Sequence, residues 1–255
     1  MAAWLLVPLA PIGAEPGQAK PVQLERGAHF YSPAKEGALP LLVLLPGTGG
    51  KGEDFLEALR PAADAQDFAI LALSPRYGGN FQAIDRFFND YEAGRPAARG
   101  DWPKPRFGND RDRIIALLDR LAGEGKIDPA KVGLLGFSHG GSYALSLGLA
   151  HPDRFRTVAA LSPGVFVVDA GEGGGPAVFL AHGRSDERQP YRRTACAMTA
   201  RLAVLGRPVV FHGFDGGHEM TPTGLGGALM HFISGGERPL EDEIEGARES
   251  DCAAN

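Results

Sequence analysis

Residues 132–141 read VGLLGFSHGG, and this stretch decides the fold. An apolar run leads into the pattern G-x-S-x-G, whose serine is Ser138, and the residues that follow suit a helix. A strand, a sharp turn and a helix in this order lift a serine hydroxyl above the carboxyl edge of a sheet. The turn strains the serine backbone, so its neighbours must be small. We therefore predict that Ser138 is a nucleophile, and that the N-terminus of the following helix stabilises the negative charge of acyl transfer.

The rest of the chain alternates short apolar runs with longer amphipathic segments. The other apolar runs cover residues 41–45, 69–73, 158–161, 177–181 and 209–214, and the helical patterns cover residues 110–121, 142–150, 191–205 and 223–233. Runs without polar alternation are typical of strands that are buried on both faces of a parallel sheet. The pattern predicts an α/β fold with a central, mostly parallel sheet flanked by helices, to which residues 22–32 add antiparallel strands at one edge.

A serine hydroxyl needs a base and an acid to become a good nucleophile, and two loops supply them. His218 stands in the loop after the last strand, where two glycines let the backbone swing back across the sheet edge. Asp186 follows the strand at 177–181 by a short loop, so we expect it at the same carboxyl edge as the serine. Asp169, in a glycine-rich loop, is the second choice for the acid. His182 is expected to be a core or sheet-end residue.

Residues 46–50, Pro-Gly-Thr-Gly-Gly, follow the first central strand and form the predicted oxyanion loop. In such a loop, backbone N–H groups face the nucleophile and bind the developing oxyanion. The expected donors are the N–H groups of Thr48 and of His139, the residue after the nucleophile, with Gly49 as the alternative to Thr48. The side chain of His139 is expected to line the pocket.

The same loop also fits a dinucleotide-binding pattern. Residues 47–52 match G-x-G-x-x-G after a strand. Glu53 and Asp54 follow, however, and their charge would repel a pyrophosphate at the helix N-terminus. The next strand ends without an acid for a ribose, and a Walker A loop is excluded because Gly52 follows Lys51. We therefore expect no cofactor here.

Four motifs in this order resemble the α/β-hydrolase superfamily, in which the triad residues follow one another as Ser, Asp and His. The motifs lie at residues 44–50, 136–141, 182–186 and 216–219, within residues 39–234. The chain is similar to small bacterial serine carboxylesterases of the phospholipase/carboxylesterase and dienelactone-hydrolase-like groups, and more loosely to secreted depolymerases and feruloyl esterases. Pro46 stands where the oxyanion loop of the family usually begins with His, and Ser138 replaces the cysteine nucleophile of dienelactone hydrolases. The resemblance implies ester hydrolysis through an acyl-enzyme, with no metal or cofactor.

The predicted activity is therefore that of a serine hydrolase that cleaves short-chain acyl or aryl carboxylic esters, with a small-molecule ester as its partner. A serine peptidase with the same triad ranks second, because prolyl-peptidase catalytic domains carry a large gating domain that 255 residues do not accommodate. A non-catalytic binding protein ranks third, because every triad residue is present.

Charge and cysteine content restrict the other classes. The net charge is −5, and residues 235–255 account for it with seven acids against two arginines. The rest of the chain is balanced, so nucleic acid is not expected as a partner. Cys196 and Cys252 are too few for a disulfide scaffold or a four-thiolate zinc site, and the sequence leaves open whether they pair.

Three parts are expected along the chain. Residues 1–21 form an N-terminal arm or the remnant of a secretory signal, and their apolar stretch is too short to span a bilayer, so no integral membrane contact is expected. Residues 22–234 form the catalytic domain, in which the aromatic-rich segment 77–110 is a pocket-lining insertion, and residues 235–255 form a flexible acidic tail. A cytoplasmic and a secreted or periplasmic location both stay open, as does the oligomeric state.

Overall fold

Within the residues that the structure describes, eight strands form one sheet. The structure is a computed structural model, and it describes residues 19–76, 79–81, 107–165, 174–207 and 209–237, together with Cys252. In chain order the strands are β1 (Val22–Glu25), β2 (Ala28–Tyr31), β3 (Leu39–Leu45), β4 (Ala69–Leu73), β5 (Ile127–Phe137), β6 (Thr157–Leu161), β7 (Ala177–Gly183) and β8 (Val209–Phe214).

The sheet is parallel except at one edge. Side by side, the strands are ordered β1-β2-β4-β3-β5-β6-β7-β8. The β1/β2 and β2/β4 pairs are antiparallel, and the other five pairs are parallel. This confirms the predicted α/β fold and the antiparallel edge at residues 22–32. Because β3 and β5 to β8 run in the same direction, the residues that follow them lie at one edge of the sheet.

Five helices accompany the described strands. They are α1 (Gly52–Gln66), α2 (Gly108–Gly123), α3 (His139–Ala150), α4 (Ala197–Val204) and α5 (Pro222–Ile233), and a π-helical turn (Arg192–Cys196) leads directly into α4. The last four correspond to the four predicted helical segments. Helix α1 has no counterpart among the predictions.

The core consists of one apolar layer on each face of the sheet. Side chains of α2, α3 and α4 contribute to one layer, and side chains of α1 and α5 contribute to the other. Strand β3 serves both layers, because Leu41 and Val43 point to one face whereas Leu42 and Leu44 point to the other. A continuous apolar run is therefore what this central strand requires.

Both described ends of the aromatic-rich segment 77–110 are attached to α3. The Phe81 ring stacks on the Tyr143 ring with centroids 5.0 Å apart, and the Phe107 ring meets the same tyrosine edge-on at 5.7 Å. Residues 82–106 lie outside the described residues, as do residues 1–18 and most of the predicted tail at 235–255.

The tail is nevertheless linked to the body of the protein. Cys252 forms a disulfide with Cys196, at the end of the π-helical turn, and this answers the question that the sequence leaves open. None of the helices in the described ranges has both the length and the apolar character of a membrane span.

Candidate active site

Ser138 occupies a sharp turn between β5 and α3. Its backbone has φ 53° and ψ −120°, a strained conformation for a residue with a side chain. A Cβ at Gly136 would lie 2.2 Å from the carbonyl oxygen of Gly140, and a Cβ at Gly140 would lie 2.0 Å from the carbonyl oxygen of Leu45. The predicted steric need for glycine on both sides of the serine is therefore confirmed. Ser138 also precedes the first turn of α3, whose N-terminus favours negative charge.

His218 reaches the serine from the loop between β8 and α5. Its Nε2 lies 2.8 Å from Ser138 Oγ. The loop packs closely on the end of β7, because a Cβ at Gly183 would lie 2.2 Å from the carbonyl oxygen of Gly217. The N–H of Ser185 also donates to the carbonyl of Gly216 at 2.9 Å. Contacts between the ends of two neighbouring strands thus hold the imidazole above the serine.

Asp186 lies on the other side of the imidazole, in the loop after β7. Its Oδ2 is 2.7 Å from His218 Nδ1, and its Oδ1 accepts the backbone N–H groups of Arg188 at 2.9 Å and Gln189 at 2.8 Å. Burial alone would raise the pKa of this carboxyl. Hydrogen bonds from His182, the Gln189 backbone and His218 outweigh burial and lower the pKa of Asp186 to about 2.

These contacts define the tautomer of His218. A carboxylate is only an acceptor, so Nδ1–H donates to Asp186 and Nε2 is left as the acceptor for the hydroxyl of Ser138. An imidazole in this state is able to remove a proton from the serine. We call Ser138, His218 and Asp186 the triad from here on.

A second histidine contacts the triad carboxylate. His182, at the end of β7, has its Nε2 2.7 Å from the carbonyl oxygen of Gln189 and 3.3 Å from Asp186 Oδ2. The expectation of a buried sheet-end residue is confirmed, since its side chain has no solvent exposure. Its contact with the carboxylate was not predicted. The spacing of four residues between His182 and Asp186 was the available signal, but only the folded loop brings the two side chains together.

The predicted oxyanion loop lies against Ser138. A Cβ on Gly47 would come within 3.2 Å of the Cβ of Ser138. The N–H of Gly49 donates to the carbonyl of Gly79 at 2.9 Å, and that of Gly50 donates to the carbonyl of Gly47 at 2.9 Å. Thr48 is exposed, and its N–H has no acceptor within the described part of the chain.

The side chain of His139, which is expected to line the pocket, is buried in the structure. The residue is only 4% exposed, and its Nε2 lies 3.2 Å from the carbonyl oxygen of Phe81. The reason is that segment 79–81 covers the start of α3, so the ring is used to hold that segment. The alternative acid, Asp169, lies outside the described residues.

The fold and the site together define a class of protein. A mostly parallel eight-stranded sheet, a serine at a tight strand-to-helix turn, and an acid and a histidine after later strands make this an α/β-hydrolase fold. The family described as "Putative esterase" matches residues 19–198. The chain belongs to this family.

Individual relatives agree with the family. The chain is 32% identical over 133 residues to "Putative esterase NocK" of Nocardia uniformis subsp. tsuyamanensis, a match that covers 51% of this chain and 35% of that protein. It is 30% identical over 149 residues to "Probable feruloyl esterase C" of Aspergillus flavus, covering 48% of this chain and 54% of that protein. The matches thus span about half or less of the length of these relatives.

Solved structures share the fold. A carboxylesterase from Mesorhizobium loti superposes with a TM-score of 0.62 at 21% identity, and the alignment covers 82% of this chain and 94% of that one. A carboxylesterase from Bacillus cereus superposes with a TM-score of 0.58 at 21% identity, covering 82% and 93%.

Proposed function

We propose that this protein is a serine hydrolase that cleaves carboxylic esters through an acyl-enzyme intermediate. One observation carries the proposal: the hydroxyl of Ser138, the imidazole of His218 and the carboxylate of Asp186 stand in series, with contacts of 2.8 and 2.7 Å. These three side chains come from distant parts of the chain, and this arrangement is the one that activates a serine for attack. Membership of an esterase family supports the same reaction.

In the proposed reaction, all three members of the triad act in each of the two half-reactions. Ser138 Oγ attacks the ester carbonyl while His218 Nε2 accepts the hydroxyl proton, and His218 then gives this proton to the departing alkoxide. In the second half-reaction water attacks the acyl carbonyl while His218 accepts its proton, and His218 then returns this proton to Ser138 Oγ as the carboxylic acid leaves. Asp186 holds the imidazole in the productive tautomer and stabilises the imidazolium that forms in both halves.

We assign the binding of the oxyanion to backbone N–H groups of the oxyanion loop and of helix α3. We assign the N–H of Thr48 in preference to that of Gly49, because the latter already donates to the carbonyl of Gly79 at 2.9 Å. The second donor is the N–H of His139, the first residue of α3 and the residue after the nucleophile. One such donor typically contributes about 2.7–4 kcal/mol to lowering the barrier.

The proposed substrates are small esters with short acyl or aryl groups. The similarity to a feruloyl esterase of Aspergillus flavus favours hydroxycinnamate esters as the aryl substrates to try first. A graded series of p-nitrophenyl esters together with methyl ferulate therefore covers both parts of the proposal.

The test is the replacement of the nucleophile. Ser138→Ala is expected to lower kcat/KM on p-nitrophenyl acetate by at least ~10⁴-fold, because the remaining residues cannot form an acyl-enzyme. Labelling by a fluorophosphonate probe should be lost as well, while the melting temperature stays near that of the wild type. Ser185→Ala is the matched control, since this exposed serine is the neighbour of Asp186 and has no proposed role in the chemistry.

Three outcomes would reject the proposal. A Ser138→Ala variant that keeps wild-type turnover would exclude this nucleophile. A wild-type protein that neither turns over esters nor reacts with the probe would be a binding protein on this fold. A kcat/KM on matched p-nitroanilides equal to that on esters would make it a peptidase.

A further inference from the structure

The carboxylate of Asp186 is completely withdrawn from water. Its side chain has no solvent exposure, so protein groups must supply every donor that water would otherwise provide. Two backbone N–H groups, from Arg188 and Gln189, bind Oδ1. Oδ2 accepts His218 Nδ1–H at 2.7 Å, and Nε2 of His182 lies 3.3 Å from the same oxygen. Within the described residues, the imidazole of His182 is therefore the neighbour that shares Oδ2 with the imidazole of His218.

The carbonyl of Gln189 shows which nitrogen of His182 bears the hydrogen. This carbonyl only accepts, and it lies 2.7 Å from Nε2, so Nε2 carries a hydrogen that it donates to the carbonyl, while Asp186 Oδ2 lies 3.3 Å from the same nitrogen. The hydroxyl of Thr194 anchors the same turn, because it donates to the carbonyl of Pro190 at 2.9 Å and lies 3.1 Å from that of Gln189. The orientation of the ring is thus determined by the loop that carries the acid.

The other nitrogen of His182 argues against a role in packing alone. Nδ1 is buried and has no hydrogen-bond partner among the described residues. A buried polar atom without a partner destabilises the folded state. An apolar ring would avoid that cost and fill the same space between β7 and the π-helical turn. What packing alone does not supply is the Nε2–H, which donates to the Gln189 carbonyl and lies beside Asp186 Oδ2.

We propose that His182 is a positioning residue for the triad: its Nε2–H holds the Asp186 carboxylate at the angle at which Oδ2 meets Nδ1–H of His218. This inference rests on the proposed function, because it concerns the acid of the same triad. Rotation of a carboxylate about its terminal torsion is otherwise soft. The two backbone N–H groups bind Oδ1, whereas His182 binds the oxygen that contacts the base.

The expected consequence is a loss in kcat without a matching change in KM. Small errors in the direction of a general base are costly because reacting groups must meet within a few tenths of an ångström. Since Oδ1 stays bound to two backbone donors, the loss is partial, about 10- to 100-fold in kcat. KM should change by no more than about twofold, because His182 lies behind the acid and away from the substrate.

The experiment compares variants that remove the donor with one that keeps it. His182→Phe retains a ring but has no N–H, and His182→Leu is a smaller donor-free variant in case the larger ring does not fit. His182→Gln places an amide N–H at about the reach of Nε2. Fluorophosphonate titration of active sites normalises kcat to the folded fraction. The donor-free variants should lose about 10- to 100-fold in kcat, and their melting temperature should fall because the Gln189 carbonyl loses its Nε2–H donor. His182→Gln should stay within about fivefold of the wild type in kcat.

A spectroscopic measurement gives the same information without turnover. In the wild type, the proton shared by His218 Nδ1 and Asp186 Oδ2 should give a far-downfield NMR signal, which His218→Gln identifies by its loss. This signal should shift or broaden in His182→Phe and persist in His182→Gln. An unchanged signal together with kcat within twofold of the wild type in both donor-free variants would overturn the inference, as would an equal loss of kcat in His182→Gln and His182→Phe.

The inference and the proposed function fail in different ways. If the wild type hydrolyses no ester, the proposed function fails, and the NMR comparison still decides whether His182 orients the carboxylate. If Ser138→Ala and Asp186→Asn abolish turnover but the donor-free variants at 182 do not, the function stands and only the role of His182 is rejected.

Discussion

In the turn at Ser138, Gly140 is the glycine with the least room for a side chain. Its missing Cβ would meet the backbone of β3, 2.0 Å from the carbonyl oxygen of Leu45, and backbone cannot move aside as a flexible side chain would. We predict that Gly140→Ala lowers the free energy of unfolding by about 1–3 kcal/mol and reduces kcat/KM on esters by about 100-fold or more, because the turn must shift together with Ser138. Urea unfolding and ester kinetics measure the two effects.

A second helical glycine provides the control for this substitution. Gly226 lies inside α5, is exposed, and has open space where its Cβ would be. Gly226→Ala should therefore raise the free energy of unfolding by about 0.5–1 kcal/mol and leave turnover unchanged. If Gly140→Ala behaved like this control, the steric account of the turn would be wrong.

At the level of single residues, the sequence predicts a site residue where a chemically suitable side chain comes directly after a predicted strand. The sequence predicts Ser138, Asp186 and His218 because each follows a strand, and the structure brings them together at 2.8 and 2.7 Å. The contacts of His182 and His139 were not predicted. Each of these rings binds a backbone carbonyl of a loop, that of Gln189 or that of Phe81, and no sequence pattern shows where a loop carbonyl will point.

At the level of elements, apolar periodicity located most strands and helices but not all. Helix α1 does carry an apolar stripe, with Phe55, Leu56, Leu59 and Ala63 buried. The sequence does not predict this helix for two reasons. Lys51 provides no side-chain cap at its start, and Pro61 lies inside it, where proline normally interrupts a helix. The π-helical turn at Arg192–Cys196 was also included in one predicted helix, because periodicity does not distinguish these hydrogen-bond patterns.

The loop from Asp215 to Met220, which carries the proposed base His218, offers a test at this scale. The side chain of Glu219 folds back so that its Oε1 accepts the N–H of Gly217 at 3.1 Å, next to His218. We predict that Glu219→Ala reduces kcat/KM by about fivefold, corresponding to the ~1 kcal/mol of a typical hydrogen bond, because the imidazole loses part of its support. Global stability should change little, since Glu219 is exposed.

The matched control is another acid of the same loop. Asp215 forms an ion pair with Arg184 at 3.1 Å, but its side chain is 95% exposed, and such pairs contribute little. Asp215→Asn should keep kcat/KM within about twofold of the wild type. Equal effects of the two substitutions would show that charge near the site, rather than support of the loop, is what matters.

At the level of the whole molecule, sheet topology explains why a triad spread over 81 residues could be expected from the sequence. Strands β5, β7 and β8 are parallel, so the loops that follow them open at the same edge. Any sequence that places a serine, an acid and a histidine directly after such strands brings them to one edge. The shape of the substrate pocket could not be predicted in this way, because it depends on side chains of the loops at that edge rather than on strand order.

Two histidines away from the site make the stability of the whole molecule depend on pH. His212 in β8 and His231 in α5 are only 4% and 1% exposed. Burial lowers the pKa of both imidazoles, and Arg184 lowers that of His212 further. In the unfolded chain each would have a pKa near 6.5. Below about pH 6.5 the unfolded state therefore binds more protons than the folded state, and the free energy of unfolding must fall as the pH falls towards the lowered values.

His231→Phe isolates one of these contributions, because it keeps an aromatic ring beside Phe179, whose ring centroid is 6.0 Å away. We predict that the difference in unfolding free energy between this variant and the wild type is constant above about pH 7 and moves in favour of the variant between about pH 6.5 and pH 5, since only the wild type must exclude a proton from the folded state. Urea unfolding at several pH values in this range measures it. A difference that is the same at every pH would mean that His231 binds its proton equally in both states, and that burial at this end of α5 does not oppose its charge.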